Sequence, residues 1–599
     1  MLNPNSAIER VKNHLAYKLG QTVIEHRHNG GGYIALFKKL YKIKKQHKKE
    51  QKIYQQIIQV FPQLKYPSLE TCSDYNEALR CKFHLSYMIG EVLIKAYQNW
   101  YKGGGFKLKN NIKKANKEFQ IFREILKEFK ELNGEALKAI QDNKQLFLKE
   151  FPRIKNILKT HQNYQPIMNN IFHNFNYFIK NFDLIEEWLL SDDFKEKYKK
   201  ENHPYPSLLD PKKLNDENEK INYHNISAEL AWEMNLPLPE NYEFVFWGSH
   251  GVGNIAFHTF LSTYKIKQIP CPESFDGKEC FFYFFNSLMS FAFVKKYITI
   301  INYINNVDYF GGTKFYSLIS LKKSVYLVRD PLSTLLTHLC TKRRGENYKT
   351  IIDFPDEIIS VLKNRVSYNG KEKPSFEDIE FIITHEYKVF HDFLLKQQLK
   401  YIEDTYFIDC TQLHQKTFDN LSNKFNLVPD TQIDFSSRVS DYHFILPLYI
   451  NLKKYFKINE NIFIVITNCY FLENDYIDIT NIFNLKTELL VAISNEYYGI
   501  FFKNINKEII IDITKYLKKY IISIINYKIL ENQKRLSESE LLKYFNQHID
   551  ICYQFKKILD EDHLPYIKQH RPDIVASWKY YQEFERMCKE LDENNQNPS

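Results

Sequence analysis

The stretch that decides the fold is Glu243–Leu261, EFVFWGSHGVGNIAFHTFL. Glu243–Trp247 has the aromatic and β-branched density of a short buried strand. Gly248–Asn254 reads as a loop, and Ile255–Leu261 as the start of a helix. In a strand–glycine loop–helix, backbone N–H groups can turn toward an anion while the helix N-terminus adds its dipole. Gly248, Ser249, Gly251, Gly253 and Asn254 are therefore the expected anion-binding positions. Gly248 and Gly253 have the G-x-x-x-x-G spacing of a nucleoside-triphosphatase loop. Asn254 and Ile255 stand where that loop needs lysine and a hydroxyl residue, so ATP or GTP hydrolysis is not expected. The competing reading is a glycine-rich turn that binds nothing.

Downstream, SVYLVRDPLSTLLTHL begins at Ser324. Ser324–Val328 reads as a buried strand, Arg329-Asp330-Pro331 follows its carboxyl end, and a helix runs from about Leu332. Ligands of open α/β sheets gather beyond strand carboxyl ends. Arg329 is placed to hold a phosphate through its guanidinium fork. Thr337, two helical turns on, can offer a hydroxyl to the same anion. The bland alternative is a local Arg329–Asp330 salt bridge and helix start. Between Glu243 and Leu427, short β-rich runs alternate with helical patterns, which predicts an α/β domain with a mainly parallel sheet flanked by helices.

Toward the amino terminus the pattern changes. HLAYKLGQTVIEHRHNGGGY, from His14, is repeated as HLSYMIGEVLIKAYQNWYKGGGF, from His84. His14 matches His84, Tyr17 matches Tyr87, Gly20 matches Gly90, and Gly30–Gly32 matches Gly103–Gly105. Each copy runs into a Lys-rich helical pattern, which predicts a duplicated helical hairpin whose glycines stop helices. The five expected segments are a basic helical region (1–130), a helical connector (131–235), the α/β domain (236–450), a mixed α/β extension (451–531) and a helical tail (532–599).

The chain has 599 residues and a formal charge of +10. Residues 1–130 hold 25 Lys and Arg against 10 acids, so this segment alone carries +15. Such an arm suits an anionic lipid or a polyanionic glycan, or is simply a solvated face; no nucleic acid partner is expected. The 9 cysteines include no C-x-x-C pair, so neither a zinc site nor a disulfide framework is expected. MLNPNSAIERVKNHL lacks an apolar signal core, and the longest nearly apolar run, Cys280–Val294, is shorter than the ~18 residues of a spanning helix. The expected location is cytoplasmic, with peripheral contact at the inner membrane through the basic arm.

Two resemblances sharpen this reading. The Arg-Asp-Pro strand end with a hydroxyl eight residues later, Arg329 and Thr337, resembles sulfotransferases. TYFIDCTQLHQKTFDNLSNKFNL, from Thr405, resembles their strand followed by a helix and a short hydrophobic turn. KECFFYF, from Lys278, resembles the stretch that supplies a catalytic glutamate in carbohydrate sulfotransferases, which implies a base role for Glu279. Gly251 stands where that family's loop carries lysine. Over most of the chain, the repeats and LNDENEKINYHNISAELAWEMNLPLPENYEFVFWGSHGVG resemble epsilonproteobacterial capsule-locus sugar transferases, whose central region is a domain of unknown function. Some members resemble transferases that place O-methyl phosphoramidate on capsule sugars from a cytidine-diphosphate-linked donor.

The resemblance implies a transferase without tightly bound cofactor, using a nucleotide-activated donor and a polysaccharide hydroxyl acceptor. Loop amides and Arg329 would neutralise the leaving nucleotide. His250, Glu279 or Glu273 would accept the hydroxyl proton, His250 because imidazole titrates near neutrality. Glycosyl or sulfuryl transfer are the enzymatic alternatives, and no clear D-x-D metal motif stands between the strands. A non-catalytic, invasion-related interaction protein is the alternative outside enzymes.

Overall fold

The computed structural model describes residues 3–30, 32–99, 105–270, 275–290, 295–301, 312–319, 323–345, 348–363, 365–386, 390, 404–428, 439–455, 462–469, 472 and 475–596. The chain divides into two compact units, Met1–Pro237 and Leu238–Ser599.

The first unit is helical. Its repeats fold as helix Leu15–Asn29 followed by Tyr33–Val60, and Leu85–Gln98 followed by Leu108–Glu128. Gly30, with φ 71°, ends the first helix in a conformation that favours glycine. Helices Leu15–Asn29 and Leu85–Gln98 cross antiparallel, with Gly20 against the Ser86 carbonyl and Gly90 against the Ala16 carbonyl. The repeat-related pairs match across this crossing: His14 stacks on Tyr87 at 5.6 Å, and Tyr17 hydroxyl bonds His84 Nδ1 at 3.2 Å. The two copies therefore meet in a self-complementary, pseudo-twofold contact. Ala16-x-x-x-Gly20 and Ser86-x-x-x-Gly90 permit it, because small residues one turn apart let two backbones touch. Helix Leu108–Glu128 then buries Phe122 beside Phe83 and Phe147, joining the second repeat to the helices that follow from Gly134.

In chain order the strands of the second unit are β1 (Val245–Gly248), β2 (Lys267–Pro270), β3 (Lys296–Ile301), β4 (Lys323–Val328), β5 (Arg343–Arg344), β6 (Ile351–Asp353), β7 (Val366–Ser367), β8 (Asp404–Asp409), β9 (Leu448–Asn451), β10 (Phe463–Thr467), β11 (Tyr476–Asp478) and β12 (Leu490–Ser494). The first sheet has the order β2-β3-β1-β4-β8, and every pairing in it is parallel. All four β1 residues are buried, as a central strand covered on both faces requires. Phe246 packs with Phe257, and the helices Asn254–Ser262 and Gln415–Phe425 cover that face. Trp247 turns to the other face, 6.1 Å from Tyr316. The protein is thus α/β as expected: a helical N-terminal region, a parallel sheet among helices, and a helical tail ending in Lys579–Gln596.

The second sheet has the order β11-β12-β10-β9-β6 and is antiparallel except for β6–β9. FIVIT and LVAIS are its central strands, and Lys507–Gln533 packs on its apolar face through Ile513, Leu517 and Ile524. β6 joins it from about a hundred residues upstream, with Ile352 paired to Ile450.

Candidate functional site

In the first sheet the chain leaves β1 toward β2 and leaves β4 toward β8, although β1 and β4 are neighbours. Two adjacent strands whose connections diverge make a topological switch point, where open α/β sheets leave a crevice beyond the strand carboxyl ends. The loop after β1 and Arg329 after β4 flank that crevice.

The loop is held from within and from below. Asn254, the first residue of its helix, donates from Nδ2 to the Ser249 carbonyl at 2.9 Å, and both residues are buried. Asn254 Oδ1 is buried without a hydrogen-bond partner among the described residues. A Cβ on Gly248 would come within 2.3 Å of that oxygen, so the strand end needs glycine for close approach. Gly251 and Gly253 have φ of 81° and 105°, and the Gly253 Cβ position is 2.7 Å from Cys410 Sγ. Their N–H groups donate to no described residue. Gly251 also packs on helix Pro331–Leu339, its Cβ position 3.1 Å from the Thr334 carbonyl, so the lysine that sulfotransferase loops carry there would be crowded as well as strained at this positive φ.

Arg329 ties the loop to β4. Its Nη1 donates to the Gly251 carbonyl at 2.9 Å and to Thr337 Oγ1 at 2.8 Å. The other guanidinium N–H groups, on Nε and Nη2, have no acceptor among the described residues. Arg329 and Asp330 form no ion pair, so the salt-bridge alternative does not hold. Asp330 instead caps two helices. One oxygen accepts the Leu332 N–H at 2.9 Å; the other accepts those of Tyr580 and Tyr581 at 3.0 and 3.1 Å. Burial raises this carboxyl above its usual range, opposed by those backbone bonds.

His250 lies in the loop with its ring edge-on to His338, centroids 5.8 Å apart. Burial, and then the proximity of His338 and Arg343, push its imidazole down to about 3. The expectation that it titrates near neutrality is corrected: a largely desolvated ring near the Arg343 guanidinium stays neutral. His338 is likewise lowered by burial to about 4. Glu279 is exposed at the first turn of helix Gly277–Met289, where it forms a reciprocal capping box with Asp276. That helix follows β2, so Glu279 is at the same edge of the sheet as the loop but beyond β3. Glu273 lies outside the described residues. Gly248, Ser249, Gly251, Gly253, Asn254, His250, Arg329 and Thr337 are thus brought together, and Glu279 is not in contact with them.

Three neighbours escaped sequence reasoning: Cys410, His338 and Asp330 as a double cap. Cys410 follows the end of β8, and burial raises its thiol while Arg329 lowers it. Its strand-end position was the available signal. Among the described residues, no cluster of three His, Cys, Asp or Glu side chains is arranged to hold a metal ion. No helix among them is long and apolar enough to cross a membrane.

Residues 2–121 match a family model described as a domain of unknown function (DUF8374), and residues 410–591 one described as a protein of unknown function (DUF2972). No curated protein and no solved structure matches the chain. The first match spans both glycine-turn repeats. The second begins at Cys410 and runs through the second sheet into the tail. Neither match covers the middle of the chain: the loop after β1 and Arg329–Thr337 fall outside both.

Proposed function

We propose that this protein is a transferase that holds a nucleotide-activated donor at the β1–β4 crevice and passes its activated group to a hydroxyl of a capsular or other surface polysaccharide. The observation that carries this reading is Arg329. One of its nitrogens is committed to Gly251 and Thr337, which fixes the guanidinium, while among the described residues Nε and Nη2 keep donors to spare beside a loop whose Gly251 and Gly253 amides are also unspent. Preorganised donors of this kind stabilise the negative charge that accumulates on a leaving nucleotide.

The transferred group is taken from the capsule-locus resemblance: methyl phosphoramidate from a cytidine-diphosphate-linked donor. A ring titrating near 3 is a poor proton acceptor at neutral pH, so the reading rests on leaving-group neutralisation more than on His250. Glu279 is the carboxylate base that the sulfotransferase resemblance supplies. Sulfuryl transfer is the second reading, favoured by the Arg329–Thr337 hydrogen bond at the Arg-Asp-Pro strand end and disfavoured by Gly251 in place of lysine.

Thermal unfolding with a nucleotide panel tests this. A ligand at a hundred times its dissociation constant stabilises by about 2.7 kcal/mol. Stabilisation by cytidine diphosphate, lost in Arg329→Ala, is expected. Stabilisation by adenosine 3′,5′-bisphosphate alone would transfer the reading to sulfuryl chemistry, and none by any nucleotide would remove it.

A further inference from the structure

We infer that helix Tyr33–Val60 is a docking surface for an anionic lipid bilayer, its first two turns entering the interface and its lysines meeting the phosphates. The helix has 28 residues and none is buried. Its half-buried face, with Leu36, Leu40, Ile43, His47 and Tyr54, is the one used within the hairpin. At 100° per residue a different face carries Tyr33, Ile34, Phe37 and Tyr41, and that face continues into Lys45, Lys48 and Lys52. The four apolar side chains are 60–82% exposed.

The second repeat shows what this helix lacks. Helix Leu108–Glu128 has half-buried or buried positions at the same spacing, Leu108, Ile112, Ala115 and Phe119, but also buries Phe122 and Ile125. In the first copy the corresponding end of the helix leaves Ile53 and Ile57 exposed. Two copies of one hairpin have diverged, one facing inward and one outward.

The charge identifies the occupant. Tyr33–Val60 contains eight lysines and one acid, Glu50, which Lys18 engages at 3.5 Å. A second copy of this helix would be repelled. An acidic polysaccharide would satisfy the lysines but leave Ile34 and Phe37 in water. A bilayer with anionic headgroups satisfies both: Ile34 and Phe37 reach the acyl boundary, the two tyrosines sit at headgroup level, and lysine stems extend to phosphate.

The test is flotation of the full-length protein with vesicles of phosphatidylglycerol and phosphatidylethanolamine, against phosphatidylcholine alone, across a salt series. Binding to the anionic vesicles only, weakening as salt rises, is expected. Lys45→Gln, Lys48→Gln and Lys52→Gln together should lower partitioning by roughly a hundredfold, at about fivefold per lysine. Ile34→Ser with Phe37→Ser should lower it without changing the salt dependence. All five positions are solvent-facing, so unchanged circular dichroism and melting accompany both variants. Failure of the wild type to float, or flotation that neither variant weakens, overturns the inference. Retention on an acidic polysaccharide without flotation would overturn it in favour of a glycan.

Discussion

Arg329 and Thr337, eight residues apart, are joined by a 2.8 Å hydrogen bond that the same guanidinium nitrogen shares with the Gly251 carbonyl. The bond makes Thr337 a support for Arg329 rather than a free hydroxyl. Arg329→Ala is therefore expected to leave a folded protein whose affinity for a nucleotide diphosphate falls by roughly 1.5–3 kcal/mol, the worth of a charge-assisted contact. Thr337→Ser should retain the bond, and Thr337→Val should lose it and part of the affinity. Calorimetric titration of the three variants checks this; equal affinities across the set would mean that Arg329 does not hold the donor.

Gly253 is squeezed between two constraints. Its φ of 105° disfavours any side chain, and a Cβ would stand 2.7 Å from Cys410 Sγ. Backbone strain of this kind costs about 1–3 kcal/mol. Gly253→Val is expected to abolish nucleotide binding. Gly253→Ala should weaken it, with Cys410→Ala restoring part, since removing sulfur relieves the contact but not the dihedral. If the double variant binds no better than Gly253→Ala, the sulfur contact does not shape the loop.

The site was readable where its logic is local. Strand, glycine loop and helix follow one another in Glu243–Leu261, and Arg329 and Thr337 share a strand end and its helix, so short-range pattern placed them. His338 adjoins Thr337 and was passed over because nothing local says that its ring meets His250. Asp330 reads as a partner for Arg329, but one of its oxygens serves Leu332 and the other Tyr580 and Tyr581, some 250 residues away, which no periodicity reveals. Asp276-x-x-Glu279 is also a capping-box signature, and the structure shows that box. The membership of β6 in the second sheet was invisible, because a three-residue strand pairing over about a hundred residues leaves no mark in sequence.

Acid should destabilise the second unit through its histidines. His250 and His258 are lowered to about 3 and His338 to about 4, in each case first by burial. Their folded values lie below the unfolded 6.5, so below that pH the unfolded chain binds more protons and stability falls as pH drops. The loss runs from about pH 6.5 to the folded values, at roughly 1.4 kcal/mol per pH unit for each histidine. His258 lies in helix Asn254–Ser262, its Nδ1 3.0 Å from Tyr297 hydroxyl. His258→Gln is expected to flatten the dependence of unfolding free energy on pH between 6.5 and 4. A slope unchanged in that variant would show that His258 is not held neutral.

The pseudo-twofold contact in the first unit makes a prediction in pairs. A Cβ on Gly20 would lie 1.7 Å from the Ser86 carbonyl oxygen, and one on Gly90 would lie 1.6 Å from that of Ala16. Both obstacles are backbone, which cannot rotate aside as a side chain can. The helices must separate, and the crossing also holds the His14–Tyr87 stack and the Tyr17–His84 bond. Gly20→Ala and Gly90→Ala should therefore be destabilising to a similar degree, by ~1–3 kcal/mol or more as in other overpacked cores, despite alanine's better helix propensity. Because both act on one crossing, the double variant should cost less than the sum of the singles: once the helices have parted, the second methyl meets little. Urea unfolding of the three variants measures all of this. Two unequal single effects, or strict additivity in the double, would mean that the repeats do not meet as the self-complementary pair described above. A stabilising Gly→Ala effect at either position would mean that the backbones do not touch there in solution.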